Sequence, residues 1–133
     1  MKIAVSSTGP DLDAQVDPRF GRAQHLLIVD TDDLEFEAVA NPNVAAGGGA
    51  GIQTAQMIAN KGAEAVLTGN CGPNAYRTLV AAGIQVYAGV SGSVRDAIDA
   101  FKGGKLGPLS EPSVPGHFGM GGGGGTQGGQ GGG

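Results

Sequence analysis

Residues 64–83, EAVLTGNCGPNAYRTLVAAG, constrain the fold more tightly than any other stretch of the chain. Ala65-Val66-Leu67 is a short unbroken apolar run, the pattern of a buried strand. Thr68-Gly69-Asn70-Cys71-Gly72-Pro73-Asn74 supplies turn residues. Ala75, Leu79 and Ala82 then recur at helical spacing, with Tyr76 and Val80 beside them, until Gly83 stops the pattern. A strand, a glycine loop and a helix N-terminus in that order aim free backbone N–H groups and the positive end of a helix dipole at one point, which suits an anion. The only cysteine, Cys71, sits at the mouth of this junction. Many such junctions are merely tight turns, and the stretch alone leaves both readings open. No Gly-Lys-Ser/Thr follows and no G-x-G-x-x-G is present, so this is neither a Walker loop nor a dinucleotide fingerprint.

The rest of the chain supplies an α/β framework for that junction. Lys2–Ser6 is apolar through Ile3, Ala4 and Val5, as in a strand covered on both faces. Residues 7–24 are irregular, broken at Gly9-Pro10 and Asp17-Pro18, and a connection of this length is more often functional than idle. It carries Asp17-Pro18-Arg19-Phe20-Gly21-Arg22-Ala23, two guanidinium groups around a phenylalanine. Arginines there suit an oxyanion or a thiometallate, and Phe20 is placed to anchor the loop; charge alone favours reading them as solvated side chains beside a core phenylalanine. His25–Asp30 and Glu35–Ala40 form a hairpin, the second strand nearer a sheet edge. Gly47-Gly48-Gly49-Ala50-Gly51 leads into a helix over 52–61 that stops at Gly62. After the central stretch come a strand at Ile84–Tyr87 and a helix at Val94–Phe101 capped by Ser93.

This order predicts one α/β domain with a mixed sheet. Right-handed crossovers through the first two helices place the strands they join in parallel. Ligands collect at the carboxyl ends of such strands, so the arginine loop, Gly47–Gly51 and Thr68–Asn74 are expected to open on one edge. The last eighteen residues hold twelve of the 27 glycines, which puts the end of the folded domain near Pro115 and predicts a disordered tail over 116–133. In that tail His117 and Met120 are soft metal ligands. Net charge is −4, against a nucleic-acid partner bound through a basic surface. One cysteine rules out an internal disulfide and fits a reducing compartment. No signal peptide or apolar span is evident, so a soluble, cytoplasmic protein with no membrane partner is expected.

The ordered pair F-G-R-A (Phe20–Ala23) and G-x-x-G-P-x-A (Gly69–Ala75), with Ala82-Gly83-Ile84-Gln85-Val86-Tyr87 after it, resembles the dinitrogenase iron–molybdenum cofactor biosynthesis (NifX-like) family over residues 1 to about 105. That family includes small archaeal and bacterial members and the molybdenum–copper orange protein. The resemblance implies a ribonuclease-H-like fold: a five-stranded mixed sheet, its hairpin strand antiparallel, with helices on both faces. It implies a non-catalytic protein that binds or carries a preformed metal–sulfur cluster (iron–sulfur, iron–molybdenum or molybdenum–copper) between cluster-donor and cluster-acceptor proteins. Carried over by motif, Arg19, Phe20, Gly21 and Arg22 belong to the first loop, and Gly69, Gly72 and Pro73 to the central one. Gly48, Gly49, Asn70 and Cys71 join them by position in the glycine loops. Cys71 and, in the tail, His117 are the residues able to add a metal ligand.

Three other functions compete. Two-metal nuclease chemistry needs a carboxylate on the first strand, and Lys2–Ser6 has none. A cysteine-based redox or transfer enzyme would use Cys71 as a nucleophile with its pKa lowered by the helix N-terminus, yet no second cysteine or base is tied to it. A binding module for a phosphorylated metabolite would use the same loops. One cysteine and two histidines do not wrap an iron–sulfur cluster with four thiolates, whereas a preformed anionic cluster needs only N–H groups, arginines and at most one soft ligand.

Overall fold

The computed structural model describes residues 1–42 and 50–109. Gly48, Gly49, His117, the Pro115 boundary and the glycine tail lie outside the described residues. Five strands and three helices follow one another as β1 (Lys2–Ser7), β2 (His25–Asp30), β3 (Phe36–Ala40), α1 (Ala50–Asn60), β4 (Ala65–Leu67), α2 (Pro73–Ala81), β5 (Gln85–Tyr87) and α3 (Val94–Lys102). The sheet order is β3-β2-β1-β4-β5. β2 runs antiparallel to β1 and β3, while β4 lies parallel to β1 and β5 parallel to β4. The expected mixed sheet with parallel crossovers is what forms.

Alternation along the strands divides the core in two. Ala4, Leu26, Ile28, Val66 and Val86 face one way and pack on Ala55 and Ile58 of α1 and Ala75 and Leu79 of α2. Ile3, Val5, Leu27, Val29, Leu67 and Tyr87 face the other way, under Val94, Ala97 and Ile98 of α3 and under Leu12 and Val16 of the long connection. Helices therefore cover both faces. β1 is buried from Ile3 to Ser7, which is why its run lacks alternation, whereas edge strand β3 is mostly exposed.

Element boundaries moved where backbone hydrogen bonds were taken by caps. Ile84 was expected to begin β5, but its N–H closes α2 onto Leu79 O at 2.9 Å, next to Gly83 at φ +78°. The strand accordingly starts at Gln85. α1 starts at Ala50, two residues ahead of Ile52, so Gly51 lies in its first turn. Ser93 caps α3 as expected, its Oγ accepting from Asp96 N–H at 3.1 Å.

Candidate functional site

The carboxyl ends of β1 and β4 are adjacent, and the segments that leave them are tied together there. Ser6 Oγ lies 2.7 Å from Asp17 O and 2.8 Å from Thr68 Oγ1, while Asp17 N–H donates to Ser6 O at 2.8 Å. This buried network clamps the end of the arginine loop to both strands. Past it, Arg19 and Asn70 form a parallel backbone bridge. Phe20 N–H donates to Asn70 O at 3.3 Å, and the Asn70 side-chain amide donates to Pro18 O at 3.3 Å. Phe20 is 2% exposed, seated in the α1–α2 half of the core, and so anchors the loop.

Backbone contact explains three of the glycines. A Cβ on Gly69 would stand 2.5 Å from Pro18 Cα, one on Gly21 would stand 2.8 Å from Gly51 Cα, and one on Gly51 would stand 3.0 Å from Ala75 Cβ. The arginine loop thus lies directly on the first turn of α1 and on the central loop, and α1 crosses α2 at its N-terminal turn. Gly72 is different. Its φ of −70° suits any residue, and among the described residues a Cβ there would meet nothing within 4 Å. Among the described residues neither packing nor a left-handed backbone calls for a glycine at 72; close approach of a bound group to the main chain would.

Gly72 is also the N-cap of α2, and no side chain caps the helix. Pro73, half of the G-P pair, is its exposed first residue and fixes the entry without needing an N–H. The N–H groups of Asn74 and Ala75 have no acceptor within the helix, and no acidic residue stands in the first turn. Beside this end, Arg19 is 61% exposed at its side chain and stacks its Nε 3.5 Å from the buried Asp17 carboxylate, which also accepts the Arg19 N–H at 2.9 Å. Arg22 is exposed on the same loop. Both arginines are thus exposed on the segment that meets the central loop at Asn70.

Cys71 overturns one expectation. Its side chain is fully buried among Phe20, Ala55, Ala75 and Leu79 rather than lying at the mouth of the junction. Burial pushes its thiol up to about 12 from the ordinary 9.0. Desolvation outweighs the helix dipole, so the folded protein holds a thiol, not the stabilised thiolate. Among the described residues, no three His, Cys, Asp or Glu side chains gather in a way that would hold a metal ion. Asp30, Asp32 and Asp33 lie around the β2–β3 turn, at the end of the sheet away from these loops, since Asp30 pairs with Lys2 at the start of β1. Among the described residues no helix is long and apolar enough to cross a membrane.

Two parts of the assembly escaped sequence reasoning. The Ser6–Asp17–Thr68 clamp joins residues with no common motif. Asn41, which reads as a strand end, donates from its side-chain amide to Ala23 O at 2.9 Å and Gly21 O at 3.3 Å, bracketing Arg22.

Residues 1–104, which hold all the described strands and helices and both motif loops, match the family model described as dinitrogenase iron-molybdenum cofactor. The chain belongs to this family. It is similar to the apo form of the orange protein from Desulfovibrio gigas at 42% identity and a TM-score of 0.83, over 85% of this chain and 96% of that one. A Thermotoga protein solved by NMR is similar at 39% identity and a TM-score of 0.75, over 86% of this chain and 98% of that one. An uncharacterised protein of Methanocaldococcus jannaschii is 34% identical over 109 residues, 80% of this chain and 89% of its own. As a member of the dinitrogenase iron–molybdenum cofactor family, the chain keeps both loops inside the matched region, where the ordered motifs place them.

Proposed function

We propose that this domain binds a preformed anionic metal–sulfur cluster at the edge where the arginine loop meets α2, and carries it from a donor to an acceptor protein as a non-catalytic step of cofactor assembly. The observation that carries the reading is Gly72, a glycine that no described neighbour requires, at a helix N-terminus without a side-chain cap, on the loop that Asn70 bridges to Arg19. Arg19 and Arg22 would supply charge, Asn74 and Ala75 N–H groups would donate to the cluster's sulfides, and Gly72 would let the cluster approach the backbone. Gly69, Asn70, Pro73, Phe20 and Gly21 hold these groups in place. Gly48 and Gly49 would add N–H donors from the second glycine loop, and His117 a soft ligand from the tail. Held chiefly by charge and hydrogen bonds, the cargo dissociates without breaking metal–protein bonds, which suits transfer.

Family membership and likeness to the orange protein support a metal-containing cargo, an iron–sulfur, iron–molybdenum or molybdenum–copper cluster. The sheet order, with β2 the strand running against the rest, supports a ribonuclease-H-like classification. A reducing cytoplasm is the compartment that fits the single thiol and a sulfide-rich cargo. Anaerobic titration with copper(I)–tetrathiomolybdate, followed by its visible absorption, tests the proposal. Wild type should retain colour through gel filtration, and Arg19→Ala with Arg22→Ala should lose most affinity at matched ionic strength with the fold intact. Equal affinity in the double variant removes the arginines from the site. Saturable binding of inorganic phosphate that excludes the thiometallate would favour the phosphorylated-metabolite reading instead.

A further inference from the structure

β3 ends the sheet, and among the described residues no strand pairs with its outer edge. Exposed edges are usually blunted by lysine, proline or a bulge. Phe36–Ala40 has none of these, and its one charge, Glu37, is already held by Lys61 at 2.9 Å. The hydrogen bonds to β2 fix which backbone groups face outward. Asn41 N–H donates to Gln24 O, and Asp30 N–H donates to Glu35 O, so the odd-numbered residues of this strand bond inward. Phe36, Ala38 and Ala40 therefore turn their N–H and C=O groups out. Their side chains share the face opposite Val39 and are exposed, Phe36 by 42%.

We infer that β3 is a self-association edge, on which a second copy of the chain adds its own β3 antiparallel about a two-fold axis through Ala38. Three observations select this occupant and register. With the axis at Ala38, Phe36 pairs with the partner's Ala40 and Ala38 with the partner's Ala38, so every outward group finds a partner and a large ring lies over a small side chain. An axis at Glu37 would set two carboxylates opposite each other, and one at Val39 would oppose Phe36 to Pro42, which has no N–H to give. Charge agrees as well. In the Ala38 register Glu35 comes opposite the partner's Asn41, the residue that holds the Gly21 and Ala23 carbonyls on either side of Arg22. The acidic turn of each copy thereby meets the arginine loop of the other, twice by symmetry. A chain of net charge −4 avoids bringing like surfaces together in this way.

Sedimentation of the full chain from low micromolar to near-millimolar concentration, with amide hydrogen exchange at each end of that range, tests the inference. A monomer–dimer equilibrium is expected, with exchange at Ala38 slowing as concentration rises and exchange at Val39 unchanged. Ala38→Pro removes an outward N–H but no bond to β2, and is expected to weaken the dimer at least about tenfold at an unchanged melting temperature. Glu35→Lys, which places like charge beside the partner's arginine loop, is expected to weaken it too. A chain that stays monomeric throughout, exchange at Ala38 independent of concentration, or a dimer unaffected by Ala38→Pro each overturns it. Should Ala38→Pro fail to fold, wild-type exchange at Ala38 decides. Because this contact meets the loop that carries Arg22, cargo binding is measured separately, on dilute protein where the chain is monomeric.

Discussion

Cys71 allows a sharp test of how burial governs the central loop. An unfolded chain would release its thiol proton near the ordinary 9.0, whereas the folded domain retains it up to about 12. Three pH units mean about a thousandfold smaller thiolate fraction at any pH below 9. Alkylation by iodoacetamide proceeds through the thiolate, so the native protein should react at least about a thousandfold more slowly than the urea-unfolded one, by mass spectrometry at pH 8. The same shift has a stability sign. Between pH 9 and 12 the folded state holds a proton that the unfolded state has lost, so Cys71's contribution is complete below 9 and drains away as pH rises toward 12. The slope is about 1.4 kcal/mol per pH unit at its steepest. Comparing wild type with Cys71→Ala isolates this term from the tyrosines and lysines that titrate alongside. The variant should lose that excess slope and keep cargo affinity within about tenfold, about 1.4 kcal/mol. Native alkylation within tenfold of the unfolded rate, or loss of all cargo binding in Cys71→Ala, would refute the reasoning.

Other substitutions separate the fold from the site. Gly69→Ala forces a Cβ against Pro18 backbone and should cost about 1–3 kcal/mol in denaturant unfolding. Gly72→Ala meets open space and should change stability by less than about 1 kcal/mol while weakening thiometallate binding severalfold by titration. Ser93→Ala removes the α3 cap and should cost about 1 kcal/mol, with no effect on cargo.

The sequence revealed the fold wherever pattern and chemistry agreed locally. Ala65–Leu67 announced a central parallel strand, Gly62 and Gly83 marked the helix stops, and Ser93 marked the α3 start. The meeting of the arginine loop with the central loop was also expected, from the rule that ligand loops gather at the carboxyl ends of strands, and the structure supplies the reason, β1 lying beside and parallel to β4. The fate of individual side chains was not. Cys71 looks identical in sequence whether its sulfur faces solvent or the core, and only Phe20, Ala55 and Leu79, distant in the chain, decide that it is buried. The same holds for Gly69 and Gly72. Both read as loop glycines in one motif, yet Pro18 requires the first and no described neighbour requires the second. Asn41 and the Ser6–Thr68 pair are tertiary hydrogen bonds between residues far apart in sequence, a kind of information periodicity does not carry.

The central claim is that cargo sits between the arginine loop and the start of α2, and backbone amide chemical shifts measure that directly. On anaerobic addition of copper(I)–tetrathiomolybdate to isotope-labelled protein kept dilute enough to be monomeric, the account predicts shifts concentrated at Arg19–Arg22 and Asn70–Ala75, with the acidic β2–β3 turn at Asp30–Glu35 unmoved. Shifts confined to that turn or to α3, with the two loops unchanged, would contradict it.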